Sequence, residues 1–83
     1  MSAHAYIQYA DVPQQLIDSS GQIIDRDTGA KLIAFDGCPQ VGELEVLADG
    51  RIQIEYSWAR NVDLRHSLAD WLTYHGIHFT VVM

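Results

Sequence analysis

The sequence predicts an α+β fold: a small antiparallel sheet of two consecutive hairpins plus N- and C-terminal strands. One face of that sheet is covered by a single C-terminal helix, about residues 62–75. Three features point there. Two strand-forming runs, "QIIDRDTGAKLIAF" and "GELEVLADGRIQIEYSW", each contain a glycine-bearing turn. An apolar stripe of helical period runs through "NVDLRHSLADWLTYHG", opened by asparagine and closed by glycine. The chain then alternates apolar and polar residues in "IHFTVVM".

Taken in order, "AYIQY" reads as a short strand rich in β-favouring tyrosine and isoleucine. "DVPQQLIDSSG" admits two readings. Asp11 caps a helical turn with Pro13 in its first turn, or "QLID" is a strand turning at "SSG"; the helical turn is favoured. In the first hairpin, a three-residue loop of Asp27, Thr28 and Gly29 sets Asp25 opposite Lys31 and Ile24 opposite Leu32. Apolar residues fall on both faces of this hairpin, so it is expected centrally in the sheet.

The second hairpin constrains itself more tightly. A two-residue Asp49-Gly50 turn would set Val46 against Gln53 and Glu45 against Ile54, mixing the faces. A three-residue loop of Ala48, Asp49 and Gly50 sets Val46 against Ile52 and Leu44 against Ile54 instead. Gly50 then takes the left-handed bulge position. This register puts Glu45 opposite Gln53 and Glu43 directly opposite Glu55, a like-charge pair costing a few tenths to about 1 kcal/mol. Such a pair calls for a nearby cation or a use for the acidic face; the plainer reading is solvated glutamates.

Asn61 or Asp63 caps the helix, Leu64, Leu68, Trp71, Leu72 and His75 form its packing stripe, and Gly76 ends it. In the last strand Ile77, Phe79, Val81 and Met83 alternate with His78, Thr80 and Val82. That strand must pair with the sheet after the chain reverses at Gly76, so removing residues 79–83 is expected to leave insoluble protein.

The length of 83 residues and the 48% hydrophobic content fit a single domain, 1–83, with one modest core. No run reaches the roughly 20 apolar residues of a membrane span, and "MSAHAYIQYADV" lacks the basic start and apolar stretch of a signal peptide. A single cysteine, Cys38, excludes an internal disulfide and suggests a reducing, cytoplasmic location. The net charge of −6 is concentrated between residues 11 and 49: Asp11, Asp18, Asp25, Asp27, Asp36, Glu43, Glu45 and Asp49 stand against Arg26 and Lys31 alone. Solubility is the simplest use of such charge. The chain lacks the basic footprint of a nucleic-acid or membrane binder, and its natural counterpart is a protein with a basic surface.

The established catalytic and metal-binding patterns do not appear. His66 and His75 are nine residues apart, about 180° around a helix, and cannot share a metal. "HGIH" has no ligand spacing, so the histidines mark a joint between helix and strand and no metal is expected. The glycines are isolated at turns, which excludes a phosphate-cradling loop, and no cofactor is implied. Adjacent His66 and Ser67 diverge on a helix and form no nucleophile–base pair. Cys38, in "DGCPQVG", is the one credible nucleophile, with no basic neighbour to lower its pKa. The chain is therefore not expected to be an enzyme. Tyr56 and Trp58 read as core, while Tyr6, Tyr9 and Tyr74 suit either core edges or a protein interface.

A short, acidic, single-domain chain without a catalytic constellation resembles, in kind rather than in any particular residue, small phage-encoded inhibitors, anti-CRISPR proteins among them. That resemblance implies a stoichiometric inhibitor or regulator that occupies a basic surface, such as a nucleic-acid-binding one. The residues nominated for partner binding are Glu43, Glu45 and Glu55 on the polar sheet face, with Asp25, Asp27 and Asp49 at the turns. The alternative is a self-associating assembly module, a homodimer through a sheet edge or the tyrosine-bearing first strand. A third reading, a small enzyme using Cys38, fails if Cys38→Ser keeps the full phenotype.

Overall fold

The computed structural model describes residues 3–58 and 60–83. Strand β1 (His4–Gln8) leads through a 3₁₀ turn (Tyr9–Asp11) and the short helix α1 (Gln14–Asp18) to β2 (Gly21–Ile24). Then follow β3 (Lys31–Ala34), β4 (Gly42–Val46), β5 (Ile52–Ser57), the main helix α2 (Val62–Tyr74) and β6 (Phe79–Val82). The six strands form one sheet in the order β2-β3-β4-β5-β1-β6. Every pairing is antiparallel, as the α+β reading expects.

The β4–β5 hairpin has the predicted register, with Glu43 opposite Glu55, Leu44 opposite Ile54, Glu45 opposite Gln53 and Val46 opposite Ile52. Its bulged loop closes where Leu47 N–H donates to the Arg51 carbonyl at 2.7 Å and Gly50 N–H to the Leu47 carbonyl at 2.9 Å. Gly50 has φ +88°, a left-handed conformation that a side chain would strain.

The first hairpin differs from expectation by one residue. Ile24 lies opposite Lys31 and Ile23 opposite Leu32, so Asp25 does not face Lys31. The cause is the Asp25 side chain. Its Oδ1 accepts from Asp27 N–H at 2.8 Å and Thr28 N–H at 3.4 Å, while Asp25 N–H donates to the Ala30 carbonyl at 2.8 Å. This Asx turn spans Arg26 to Gly29 and satisfies two N–H groups that the shorter loop would leave to water. The hairpin also lies at the end of the sheet and not in its centre, because β1 and β6 extend the sheet on the far side of β5. Ile23 and Ile24 on the edge strand are each 65% exposed.

Helix α2 forms as its termini predict. Asn61 Oδ1 accepts from Asp63 N–H at 2.9 Å and Leu64 N–H at 3.3 Å. At the other end Gly76 (φ +68°) lets Ile77 N–H reach the Leu72 carbonyl at 2.9 Å and its own N–H reach the Thr73 carbonyl at 3.0 Å. Leu68 and Leu72 are buried, Trp71 and His75 half-buried, and Leu64 on the same stripe is exposed. Replacing Asn61 with alanine removes the acceptor for two helix N–H groups. The expected cost is about 1 kcal/mol, a fall of roughly 4–8 °C in Tm. An unchanged thermal melt of Asn61→Ala would contradict the assigned cap.

The core lies between α2 and one sheet face, with Ala5, Ile7, Ile33, Ile54, Tyr56 and Leu72 among its buried side chains. The segment after β1 shares this cover. Val12 is buried, and Leu16 and Ile17 of α1 pack against the core. Asp11 sits in the 3₁₀ turn, and Pro13 precedes α1 at the cap position with no side-chain cap bond. Strand β6 returns to pair with β1, setting Phe79 opposite Ile7 and Thr80 opposite Tyr6. Trp58 packs against Phe79 with ring centroids 6.2 Å apart.

Candidate functional site: the uncovered face of the sheet

Because the helices and the core lie on one side of the sheet, the other side is open. The pleat sends alternate residues there, and the registers align them across all six strands. The central row reads Ile23, Leu32, Glu43, Glu55, Tyr6 and Thr80 from β2 to β6. The neighbouring row brings Glu45, Gln53 and Gln8 together. Among the described residues no lysine or arginine occupies the open side of any strand; Lys31 pairs with Leu44 and Ile24, on the helix side.

Thus Glu43, Glu45 and Glu55 converge, as the hairpin register predicts. Glu45 accepts from Gln53 Nε2 at 3.0 Å. Glu55 Oε1 lies 3.1 Å from His4 Nδ1, off the direction of a good hydrogen bond. Among the described residues no lysine or arginine forms an ion pair with any of the three glutamates. Tyr6 stands opposite Glu55, and its phenol is raised above the ordinary tyrosine value, first by loss of solvent and then by the charges of Glu55 and Glu45. Beside this cluster a shallow depression of about 460 Å³ is lined by Tyr6, Gln8, Gln53, His78, Thr80 and Val82. Its walls offer hydroxyl, amide and imidazole groups.

The three aspartates nominated at the turns share one end of the sheet, since β2 and β4 run in the same direction. Their chemistry differs. Asp25 is committed to its own turn. Asp49 binds Arg51 twice, accepting from its backbone N–H at 3.1 Å and its Nε at 2.6 Å, and these bonds hold its carboxyl below the usual value. Asp27 is exposed. The acidic surface therefore centres on the glutamates, and the turns form its rim.

Tyr6, one of the tyrosines read as suiting a core edge or an interface, joins the site together with His4, His78 and Thr80, which were not nominated. Alternation within β1 separates His4, Tyr6 and Gln8 from Ala5 and Ile7. Only the long-range pairing of β1 with β5 and β6 shows what they stand beside. The histidines do not converge. His66 is exposed, His75 is half-buried with its ring 4.7 Å from Trp71, and His78 lies on the open face between buried Ile77 and half-buried Phe79. Among the described residues no three potential ligands cluster as a metal site would require.

Cys38 is half-buried in the β3–β4 connection. Burial pushes its thiol up, opposed more weakly by the Gln40 backbone and the Tyr56 hydroxyl. The Tyr56 hydroxyl is itself enclosed there without a well-directed hydrogen bond. A thiol in this setting carries less thiolate at neutral pH than a free cysteine, the reverse of what activates a nucleophile.

No helix among the described residues is long and apolar enough to cross a membrane. Comparison with family models, with curated proteins and with solved structures finds no match to this chain.

Proposed function

We propose that the chain is a small acidic, non-enzymatic binding module that acts stoichiometrically in the cytoplasm. Its uncovered sheet face occupies a basic surface of a partner protein, such as one that otherwise holds nucleic acid, in the manner of phage-encoded inhibitors such as anti-CRISPR proteins. The observation that carries this reading is the glutamate cluster, which no lysine or arginine among the described residues pairs with. Glu43 and Glu55 are opposed across strands at a cost to stability, on a face where no residue within the described strands is lysine or arginine. A basic partner relieves that repulsion on binding, so charge complementarity favours the complex and speeds its formation. Hydroxyl, amide and imidazole groups around the adjacent depression supply polar contacts beside the charges.

The double substitution Glu43→Lys and Glu45→Lys tests this. Partner affinity should fall by about tenfold or more. Stability should hold or rise by up to about 1 kcal/mol, because the ammonium introduced by Glu43→Lys would face the Glu55 carboxylate with opposite charge. Equal affinity of the two proteins for the partner would refute the reading. The opposite movements of binding and stability separate a lost interface from a lost fold.

A further inference from the structure

We propose that β2 pairs antiparallel with β2 of a second copy of this chain, about a two-fold axis normal to the sheet. The interface is separate from the acidic face and does not depend on what binds there. Edge strands are ordinarily guarded by charges, proline or a bulge. β2, Gly21-Gln22-Ile23-Ile24, has no charge, no proline and an uninterrupted register with β3. Ile23 lies on the open side and Ile24 on the helix side, and both are 65% exposed. A partner packed on one face would cover only one of them. A strand added at the edge flanks both.

The bonding pattern identifies the free groups. Asp25 N–H donates to the Ala30 carbonyl, so the Asp25 N–H faces β3 and the ladder alternates from there. Ile23 and Gly21 therefore bond to β3, while Gln22 and Ile24 turn their N–H and C=O groups to the free edge. A two-fold axis through Ile23 sets Gln22 opposite Ile24 of the second copy, and each exchanges backbone hydrogen bonds with the other. Ile23 then meets its own counterpart at a non-hydrogen-bonded position, with Cα atoms about 4.5 Å apart.

Charge placement favours a second copy as the occupant. The neutral run faces another neutral run. The two Asp25 residues fall at opposite ends of the paired strands, about 14 Å apart, and the two Glu43 residues lie about 24 Å apart. Both separations exceed the Debye length of about 8 Å at physiological salt. The axis keeps both open faces on one side, so the joined sheet presents two glutamate clusters in one surface. At the other edge, Phe79 and Val81 of β6 are already packed on the core, and Val82, 51% exposed, is the one large apolar side chain of that strand left open.

Sedimentation equilibrium of the full chain from micromolar to millimolar concentration should show mass rising from that of one chain toward that of two. Ile24→Pro, which removes an outward N–H without touching a β3 bond, should weaken association at least about tenfold. Ile23→Lys should do the same at an exposed side chain, and keeps the test intact should proline disturb the hairpin. In a Cys38→Ser background, Ile23→Cys should form a covalent dimer under mild oxidant, since the expected Cα separation suits a disulfide. A chain that stays monomeric throughout overturns the proposal. So does association that both Ile24→Pro and Ile23→Lys leave unchanged.

Discussion

Gly42→Ala should lower the melting temperature by roughly 10–20 °C, corresponding to about 2–3 kcal/mol for a domain of this size. Gly42 is a buried strand residue on the core side of β4. Opposite Ile33 in one direction, it lies beneath the Tyr56 ring in the other. A methyl group there would collide with Ile54 Cγ2 and sit 3.0 Å from Tyr56 Cε1 and Cζ. Neither neighbour can withdraw, since Ile54 and Tyr56 are among the most fully buried side chains in the chain. The change overpacks a core whose whole domain is stabilised by only about 5–15 kcal/mol. Gly21→Ala is the control: nothing lies within 4 Å of its added methyl. It should change stability by no more than about 0.5 kcal/mol. Similar melts for the two variants would show that the Tyr56 ring does not rest on Gly42.

Removing residues 79–83 should abolish cooperative folding and leave insoluble protein. Deletion takes Phe79 and Val81 from the core margin and strips Trp58 of its aromatic neighbour. It also breaks the ladder that joins β6 to His4–Ile7 of β1. Half-burial of a phenylalanine and a valine is worth about 2–3 kcal/mol together, and each ladder hydrogen bond about 0.5–1.5 kcal/mol more. That total is comparable to the stability of a small domain. A further effect is kinetic: β1 becomes an exposed edge with apolar Ala5 and Ile7 on its core side, a template for aggregation. A soluble 1–78 fragment with a sharp thermal transition would show that β6 is dispensable.

The contrast between the two hairpins shows what was legible in the amino-acid pattern. In the second, both strands alternate cleanly, so only one loop length keeps Leu44, Val46, Ile52 and Ile54 on a shared face. The Glu43–Glu55 opposition follows from that register alone, and the candidate site is built around it. In the first, Ile23-Ile24 and Leu32-Ile33 are adjacent apolar pairs, and either register places apolar residues together. The decision fell to a local hydrogen bond, the Asp25 carboxylate on Asp27 and Thr28, whose strength the hydrophobic pattern does not encode. Helix α2 was legible from its ends, because Asn61 and Gly76 act on backbone groups a few residues away.

Sheet order was harder to read for a physical reason. β1 inserts between β5 and β6, so Tyr6 meets Glu55 and Thr80 through pairings of strands far apart along the chain. No periodicity reports such a contact. The insertion also removes the tyrosine-bearing first strand as a free edge, which leaves β2 and β6 as the edges of the sheet. His4 and Tyr6 thus entered the acidic site through topology alone.

Capture from source-cell lysate, with the tagged chain at low and high salt and the double Glu43→Lys, Glu45→Lys variant in parallel, tests whether the glutamate face binds a basic partner. One stoichiometric partner with a basic surface is expected, retained by the native chain at low salt and lost both at high salt and with the variant. Recovery of the bait alone, or of a partner held equally by both chains and at both salt concentrations, would contradict it.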